Sequence, residues 1–400
     1  MDQLFPGSVT SPKGFQAAGV RCGLKEKGLD LALVHSRFPA TAAALFTSNR
    51  IQAAPVLLSK KHIRSGRARA LVINSGNANA CTGEQGDRDA TETAMLIAES
   101  LSLHQEEVLV ASTGVIGKPL AMDKIRDGIR RAVTRLGEDG GEQAAQAIMT
   151  TDLVAKHFAI EFELDGRVAR IGAMAKGSGM INPNLATLLC CITTDVAITS
   201  PLLDHSLRLA AEDSLNSLTV DGEMSTNDCA LILANGQCLN RVIETAKADF
   251  SVFTEALQKV LQALARAIAL DGEGASKLLL VRIERAADPQ QAKRAAKAVA
   301  NSLLVKTAVF GRDPNWGRVV SAVGGSGVEA QLKKMAVLFA GISVLQDGEA
   351  VPYSEGAMKA ALNQKEIVVT VDLGAGDARC QVYSCDLSYD YIKINAEYHT

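Results

Sequence analysis

One stretch of the chain, from Lys176 to Asp195, passes directly from turn-forming residues into an uninterrupted apolar run. It reads KGSGMINPNLATLLCCITTD, with glycine, asparagine and proline crowded into its first half. Those residues favour turns and unusual backbone angles, whereas the run from Leu188 to Ile192 predicts a buried strand. The fold must therefore accommodate a loop that leads straight into the interior of a sheet, with Thr187 at the junction.

A hydroxyl at such a junction can act as a nucleophile if a base stands beside it. A threonine that becomes a chain terminus carries its own base, the free α-amine. This chemistry predicts a self-cut chain, in which Thr187 Oγ attacks the Ala186 carbonyl, the amide becomes an ester, and water releases a new N-terminus. From these residues alone the alternative stays open that Thr187 is an ordinary threonine at the start of a strand.

The length and the charge of the chain limit the classes of protein to which it can belong. Four hundred residues predict two or three domains. Lys and Arg number 42 against 44 Asp and Glu, and aromatic residues make up only 4%, which argues against a nucleic-acid partner. No apolar run is long enough for a membrane span and no secretory leader is recognised, so the sequence predicts a cytoplasmic protein with no membrane partner.

The cysteines and histidines do not form a metal-binding pattern. Eight cysteines contain no CxxC pair, and the six histidines are scattered, so we expect no metal site. Cys190 and Cys191 are adjacent within the predicted strand and should face opposite sides of it. We expect them to be small buried side chains in a reducing compartment.

Hydrophobic spacing predicts alternating strands and helices, with a change of composition between about 284 and 305. The longest amphipathic helix is predicted at 253–268, followed by a glycine-flanked loop and a strand at 278–284. Beyond the change, the pattern predicts a small α+β unit with helices at 290–303 and 355–363 and strands at 305–310, 335–345, 367–373, 379–384 and 391–396.

Three further positions have chemistry worth noting. The strand at 108–111 ends in Ser112, Thr113 and Gly114, where an unobstructed backbone N–H could hold a negatively charged oxygen or simply form a turn. Thr150 follows a predicted helix, and Glu273 lies on a glycine-flanked loop; each is suited to a ligand or to solvent. A phosphate loop at 112–119 and a dinucleotide fingerprint at 324–327 are rejected, because their key residues are missing.

The segment 176–195 resembles the processing and nucleophile segment of the ornithine acetyltransferase family, the bifunctional glutamate N-acetyltransferases of arginine biosynthesis. Other matching segments occur in the same order along the whole chain. They are SVTSPKGF, NSGNANACTG, STGVIG, MTTD, DGEMSTND, DGEGASK, GRDPNWGR and the terminal NAEYHT.

The resemblance implies a function and a set of site residues. After cleavage between Ala186 and Thr187, the Thr187 hydroxyl would take the acetyl group of N-acetylornithine, release ornithine and pass the acetyl group to glutamate, with no cofactor. The family match leaves open whether acetyl-CoA is also a donor. It assigns the oxyanion hole to Thr113 and Gly114, and substrate contacts to Thr150, Lys176, Glu273, Asn395 and Thr400.

The resemblance also implies an architecture. It predicts an αββα sandwich like that of the N-terminal-nucleophile hydrolases, plus a small C-terminal α+β domain. The predicted units are an alpha fragment at 1–186, a beta fragment whose nucleophile part spans 187–290, and a C-terminal domain at 291–400, with two copies of each fragment in the assembly. Two alternatives remain at this point: an N-terminal-threonine amidase or aminopeptidase that uses water as acceptor, and an uncut metabolite-binding protein.

Overall fold

Three β-sheets and their covering helices form the part of the chain that the structure describes, residues 3–182 and 188–397 of a computed structural model. The strands are β1 Gln3–Phe5, β2 Phe15–Val20, β3 Leu31–Ser36, β4 Thr41–Phe46, β5 Ala70–Asn77, β6 Val108–Val115, β7 Lys156–Leu164, β8 Arg167–Lys176, β9 Leu189–Thr194, β10 Cys229–Ala234, β11 Leu278–Ala286, β12 Ala336–Phe339, β13 Ile342–Gln346, β14 Glu349–Ala350, β15 Glu366–Asp372 and β16 Ala378–Cys385. The helices are α1 Ala54–His62, α2 Gly83–Leu101, α3 Met122–Thr134, α4 Gly141–Ala147, α5 Ser200–Glu212, α6 Ala248–Leu270, α7 Pro289–Asn301, α8 Leu303–Gly311, α9 Trp316–Gly325, α10 Glu355–Leu362 and α11 Tyr389–Glu397. No helix within these residues is both long and apolar enough to cross a membrane.

Two of the sheets pack face to face. The first has the order β1-β7-β8-β9-β10-β4 and the second the order β2-β3-β5-β6, and side chains such as Met174 and Val34 meet between them. Helices α2 and α3 cover the outer face of the second sheet through residues such as Ile97. Helices α5 and α6 cover the outer face of the first through Leu207 and Leu257. The predicted αββα sandwich is therefore confirmed.

The strand β9 lies in the middle of the first sheet because it is apolar on both faces. It pairs antiparallel with β8 and parallel with β10. Cys190 packs on the helix side and Cys191 between the two sheets, and both are free and buried. The expectation that these cysteines face opposite sides of a buried strand is confirmed.

The third sheet, in the order β14-β13-β12-β15-β11-β16, forms a C-terminal α+β unit with the helices α7 to α10. One face packs against α7 and α9 through residues such as Val299 and Val323. The other contributes Leu278 and Leu280 to the core around α6. The strand β11 ends before residue 291, where the C-terminal domain was predicted to begin, yet it is paired within this sheet. The division of the chain at 290 stays a prediction.

Three predicted strands of the C-terminal unit are wrong. The segment 305–310 lies in helix α8, where the Ser302 hydroxyl caps the helix by accepting a hydrogen bond from Val305 N at 3.3 Å. Val305 and Val309 are buried four residues apart, so helical packing overrides their preference for strands. The run 335–345 is divided into β12 and β13 by Ala340 and Gly341, whose φ angles of 48° and 82° make a two-residue hairpin turn.

The third error concerns the end of the chain. Residues 391–396 lie in helix α11 rather than in a strand. The Ser388 hydroxyl accepts a hydrogen bond from Asp390 N at 3.1 Å, and the Asn395 amide donates to the Tyr391 carbonyl at 3.0 Å, one helical turn away. No residue of this helix is buried, so the alternating pattern that suggested a strand does not reflect a sheet face.

Candidate active site

A cleft opens at the edge of the sandwich where β6 and β8 end and where β9 and β10 begin. It encloses about 800 Å³, its open mouth included. Leu188, the residue that follows Thr187, lines it, whereas Ala186, Thr187 and Thr400 lie outside the described residues. The structure brings together in this cleft six of the residues predicted from the sequence: Thr113, Gly114, Thr150, Lys176, Glu273 and Asn395.

Gly114 cannot be replaced by a larger residue without disturbing the second sheet. Its φ is +130°, and a Cβ atom there would lie 2.4 Å from the carbonyl carbon of Gly76 and 2.5 Å from Asn77 N. The pairing of β5 with β6 shifts register at Asn77, which opposes both Thr113 and Val115. The close approach of the two strands thus fixes the Thr113–Gly114 peptide at the rim of the cleft.

Lys176 brings a positive charge into the cleft. It is the last residue of β8, pairs with Leu189 and is only 9% exposed. Within residues 3–182 and 188–397 its ammonium group makes no hydrogen bond or ion pair, although its charge acts on Asp152 and Asp228. A buried cation with unused donors is suited to the carboxylate of a ligand.

Glu273 brings a carboxylate from the opposite side. Its Oε2 accepts a hydrogen bond from Asn395 Nδ2 at 2.8 Å, and its backbone N–H donates to the Ser178 carbonyl at 3.0 Å. The carboxylate lies directly against Gly179, where a Cβ atom would be 2.4 Å from Glu273 Cδ. Because Asn395 lies on α11, the helix that sequence patterns predicted as a strand brings this side chain to the cleft.

A buried ion triad underlies these loops. Lys156 Nζ lies 2.7 Å from Asp152 Oδ1 and 2.6 Å from Asp271 Oδ2. Asp152 also accepts hydrogen bonds from Gly177 N at 2.8 Å and Thr150 N at 3.0 Å. The triad thereby ties together the loop of Thr150, the residue after Lys176, and the end of α6 just before Glu273.

The chain that leads up to residue 182 is held by a second set of contacts. The Asp221 carboxylate accepts hydrogen bonds from Met180 N at 2.6 Å and Ile181 N at 3.0 Å. Lys297 Nζ, from helix α7, donates to Asn182 Oδ1 at 3.1 Å. Burial lowers the pKa of Lys297 to about 7, with the charge of Lys293 acting in the same direction. The C-terminal unit therefore contacts the residues that lead into the predicted cleavage site.

Sequence reasoning missed Asn227 and Asp228, which line the cleft immediately before β10. The Asn227 side chain donates to the Ser112 carbonyl at 2.9 Å and the Ala78 carbonyl at 2.6 Å, so it joins the two sheets at the rim. The signal was present: polar residues directly precede an apolar strand here just as they do before Leu188. The triad of Asp152, Lys156 and Asp271 left no such local signal, because Asp271 is 115 positions from Lys156 in the chain.

These groups surround the start of β9 with complementary chemistry. A backbone N–H and a hydroxyl at Thr113–Gly114 can hold an oxyanion, while Lys176 and Glu273 can hold the two charged ends of an amino-acid substrate. The fold and the cleft together define an αββα enzyme of the acyl-transferring class.

Comparison with known proteins identifies the family within that class. The ArgJ family model matches residues 16–400, and the chain belongs to this family. The arginine biosynthesis bifunctional protein ArgJ of Symbiobacterium thermophilum is 49% identical over 100% of both chains, and that of Geobacter sulfurreducens is 48% identical over 97% of this chain and 99% of its own. The crystal structure of the Bacillus halodurans protein of the same name is 37% identical, covers 52% of this chain and 97% of its own, and has a TM-score of 0.50.

Proposed function

We propose that this enzyme transfers the acetyl group of N-acetylornithine to glutamate through an ester on Thr187, after self-cleavage between Ala186 and Thr187. The observation that carries the proposal is the cleft beside Leu188, where Thr113 with Gly114, Lys176 and Glu273 come together from three separate parts of the chain. Membership of the ArgJ family supports a place in arginine biosynthesis. The aligned Bacillus halodurans chain is about half as long as this one, which is consistent with a cut family member.

The reaction proceeds in two acyl-transfer steps. Thr187 Oγ attacks the acetyl carbonyl while its proton passes to the Thr187 α-amine, and the negative charge on the carbonyl oxygen is held by Thr113 Oγ and Gly114 N. The C–N bond breaks, the leaving amine takes the proton, and ornithine departs from the acetyl ester. Glutamate then attacks the ester with its neutral amine and leaves as N-acetylglutamate, which restores the Thr187 hydroxyl.

Charged side chains orient the two amino acids. Lys176 would bind the α-carboxylate that both substrates carry, and Glu273, held by Asn395, would bind the side-chain ammonium of ornithine. Thr150 and the terminal Thr400 complete the proposed substrate contacts. Because the relatives are bifunctional proteins, acetyl-CoA is a second candidate donor; release of free CoA thiol on addition of glutamate would reveal it.

The transferase proposal is tested by supplying the donor with and without glutamate. We expect acetylornithine alone to give a stable adduct of about 42 Da on the fragment that begins at Thr187, and glutamate to discharge it. Intact-mass measurement follows both events. Equal consumption of acetylornithine with and without glutamate would instead identify an amidase, and a chain that stays whole and binds ligand without turnover would identify a binding protein.

Thr113 provides a separate test of the oxyanion hole. Replacing Thr113 with alanine is expected to lower kcat by roughly 10²- to 10³-fold, because one hydrogen bond to the developing charge is lost. Thr113→Ser is the matched control, since it keeps the hydroxyl and should retain most activity. Steady-state kinetics on cleaved protein decides the matter; a loss below about threefold in the alanine variant contradicts the role.

The proposed assembly contains two copies of each fragment in the cytoplasm. Large apolar side chains are exposed on two helices, α11 and α8. Tyr389 and Ile392 of α11 are 81% and 64% exposed, and Leu303 and Leu304 of α8 are 65% and 59% exposed. Contact with a second copy would cover such side chains. All eight cysteines are free, as a reducing compartment favours.

A further inference from the structure

Lys25 is a half-buried cation beside the candidate active site, on the loop that joins β2 to β3. The backbone N–H groups of Gly23 and Lys25 donate to the carboxylate of the buried Asp30 at 2.9 and 3.1 Å, which fixes the shape of this loop. The side chain lies against β5, where a Cβ atom on Gly76 would be 2.8 Å from Lys25 Cγ. Because Gly76 is paired with Gly114, Lys25 runs close to the proposed oxyanion hole.

The ammonium group of Lys25 has unused hydrogen-bond donors. Its Nζ donates to the carbonyl of Met149, the residue before Thr150, at 2.8 Å. Across the part of the chain that the structure describes, Nζ makes no second hydrogen bond and no ion pair. An ammonium group carries three N–H donors, so two remain for a ligand. Burial lowers the pKa of Lys25 although the charges of Asp30 and Asp152 oppose it, and a ligand carboxylate would favour the charged form further.

A hollow beside this ammonium group adjoins the cleft. It encloses about 790 Å³, its open mouth included, and Thr150 lines both the hollow and the cleft. After burial, the charge of Lys176 also lowers the pKa of Lys25, so the ammonium groups of the cleft and of the hollow are near enough to interact. A ligand that occupies the cleft and extends past Thr150 therefore reaches Lys25.

The two amino acids of the proposed reaction place opposite charges on this site. Ornithine and glutamate have side chains of similar length, but one ends in an ammonium group and the other in a carboxylate. Glu273 suits the ammonium group and repels the carboxylate, so the glutamate side chain needs a cation of its own. Of the cations that line the cleft or the hollow among the described residues, Lys176 is assigned to the α-carboxylate and Arg21 is exposed, which leaves Lys25.

We propose that Lys25 binds the side-chain carboxylate of glutamate in the second acyl-transfer step and thereby selects the acyl acceptor. This inference rests on the proposed function, because it requires transfer to an amino-acid acceptor. Glu273 and Lys25 divide the two substrates between them: the carboxylate holds the side chain of ornithine, and the ammonium group holds the side chain of glutamate. Lys25 takes no part in the bond changes themselves.

The test follows the two acyl-transfer steps separately in the full chain carrying Lys25→Met. In a two-step reaction of this kind, kcat/KM for acetylornithine reports formation of the acetyl ester, and kcat/KM for glutamate reports its discharge. We expect kcat/KM for glutamate to fall roughly 10- to 100-fold, through a higher KM, because a charge-assisted hydrogen bond is lost. The value for acetylornithine should stay within about threefold of wild type, since its side chain does not use Lys25.

Glutamine separates this role from a merely structural one. It has the length of glutamate without the side-chain charge, so its use as an acceptor should differ by less than about threefold between wild type and Lys25→Met. Arg21→Met is the matched control, because it removes an exposed charge from the same hollow, and it should change kcat/KM for glutamate by less than about twofold.

Four results would overturn the inference. They are an unchanged kcat/KM for glutamate in Lys25→Met, an equal loss with glutamate and glutamine, an equal loss with glutamate and acetylornithine, and a loss in Arg21→Met as large as that in Lys25→Met. A wild-type protein whose acetyl ester glutamate does not discharge would overturn the proposed function instead. Formation of the acetyl ester by Lys25→Met shows that the variant is folded and cut.

Discussion

Replacing Thr187 with alanine is expected to leave one intact polypeptide of 400 residues that transfers no acetyl group. The alanine side chain has no oxygen to attack the Ala186 carbonyl, so no ester forms and no α-amine is released. The same variant also lacks the atom that would carry the acetyl group. Both losses follow from one hydroxyl, and they should be complete within the sensitivity of denaturing electrophoresis and of an ornithine-release assay.

Thr187→Ser is the matched variant for this experiment. A serine hydroxyl can perform both reactions, so we expect cleavage and transfer to persist at reduced rates. Fragment masses and end sequencing locate the cut. Full cleavage of the alanine variant, or acetyl transfer by an uncut alanine variant, would remove the basis of the proposed mechanism.

Replacing Lys156 with methionine is expected to destabilise the fold by about 3–5 kcal/mol, because two carboxyl groups lose the cation that pairs them in the interior. Lys156 and Asp152 have side chains 1% and 0% exposed, so water cannot take over that role. Urea unfolding followed by circular dichroism measures the change. The exposed pair Arg208–Asp204, at 2.7 Å, is the control: Arg208→Ala should cost below about 1 kcal/mol.

The same variant should change the response to acid. Burial by itself raises the pKa of Asp152, but the charges of Lys176 and Lys156 outweigh it and lower the pKa from 3.8 to about 2. In the wild type the stabilising contribution of Asp152 is therefore complete above pH 3.8 and is lost as the pH falls toward 2. In Lys156→Met the loss should begin at higher pH, and unchanged unfolding between pH 3 and 5 would contradict the triad's role.

Sequence patterns predicted the core elements where burial is uniform. The strand β11 was predicted from its observed first residue, Leu278, and the long helix α6 to within five residues at either end, because an apolar run or a helical stripe dictates each one. Patterns failed in α8 and α11, where β-branched and aromatic residues occupy helices. There, side-chain caps from Ser302 and Ser388 and contacts with distant residues decide the conformation.

The candidate site was predictable only in part. Thr113, Lys176 and Glu273 were found through motifs that match a family, and the structure brings them into one cleft. The support beneath them was not found, because Lys156 and Asp271 are 115 positions apart and carry no motif of their own. The hydrogen bond between Asn395 and Glu273 likewise depends on how a terminal helix folds back onto the sandwich.

The strand order of the first sheet decides what a nick before Thr187 does to the molecule as a whole. The strands β1, β7 and β8 precede the nick, β9 and β10 follow it, and β4 at the far side precedes it again. The strands of the later piece thus lie between strands of the earlier one and pair with them on both sides. Ala175 of β8 pairs with Cys190 of β9, and Ala43 of β4 pairs with Ile232 of β10. If the chain is cut before Thr187, these strand pairings would still hold the two pieces together.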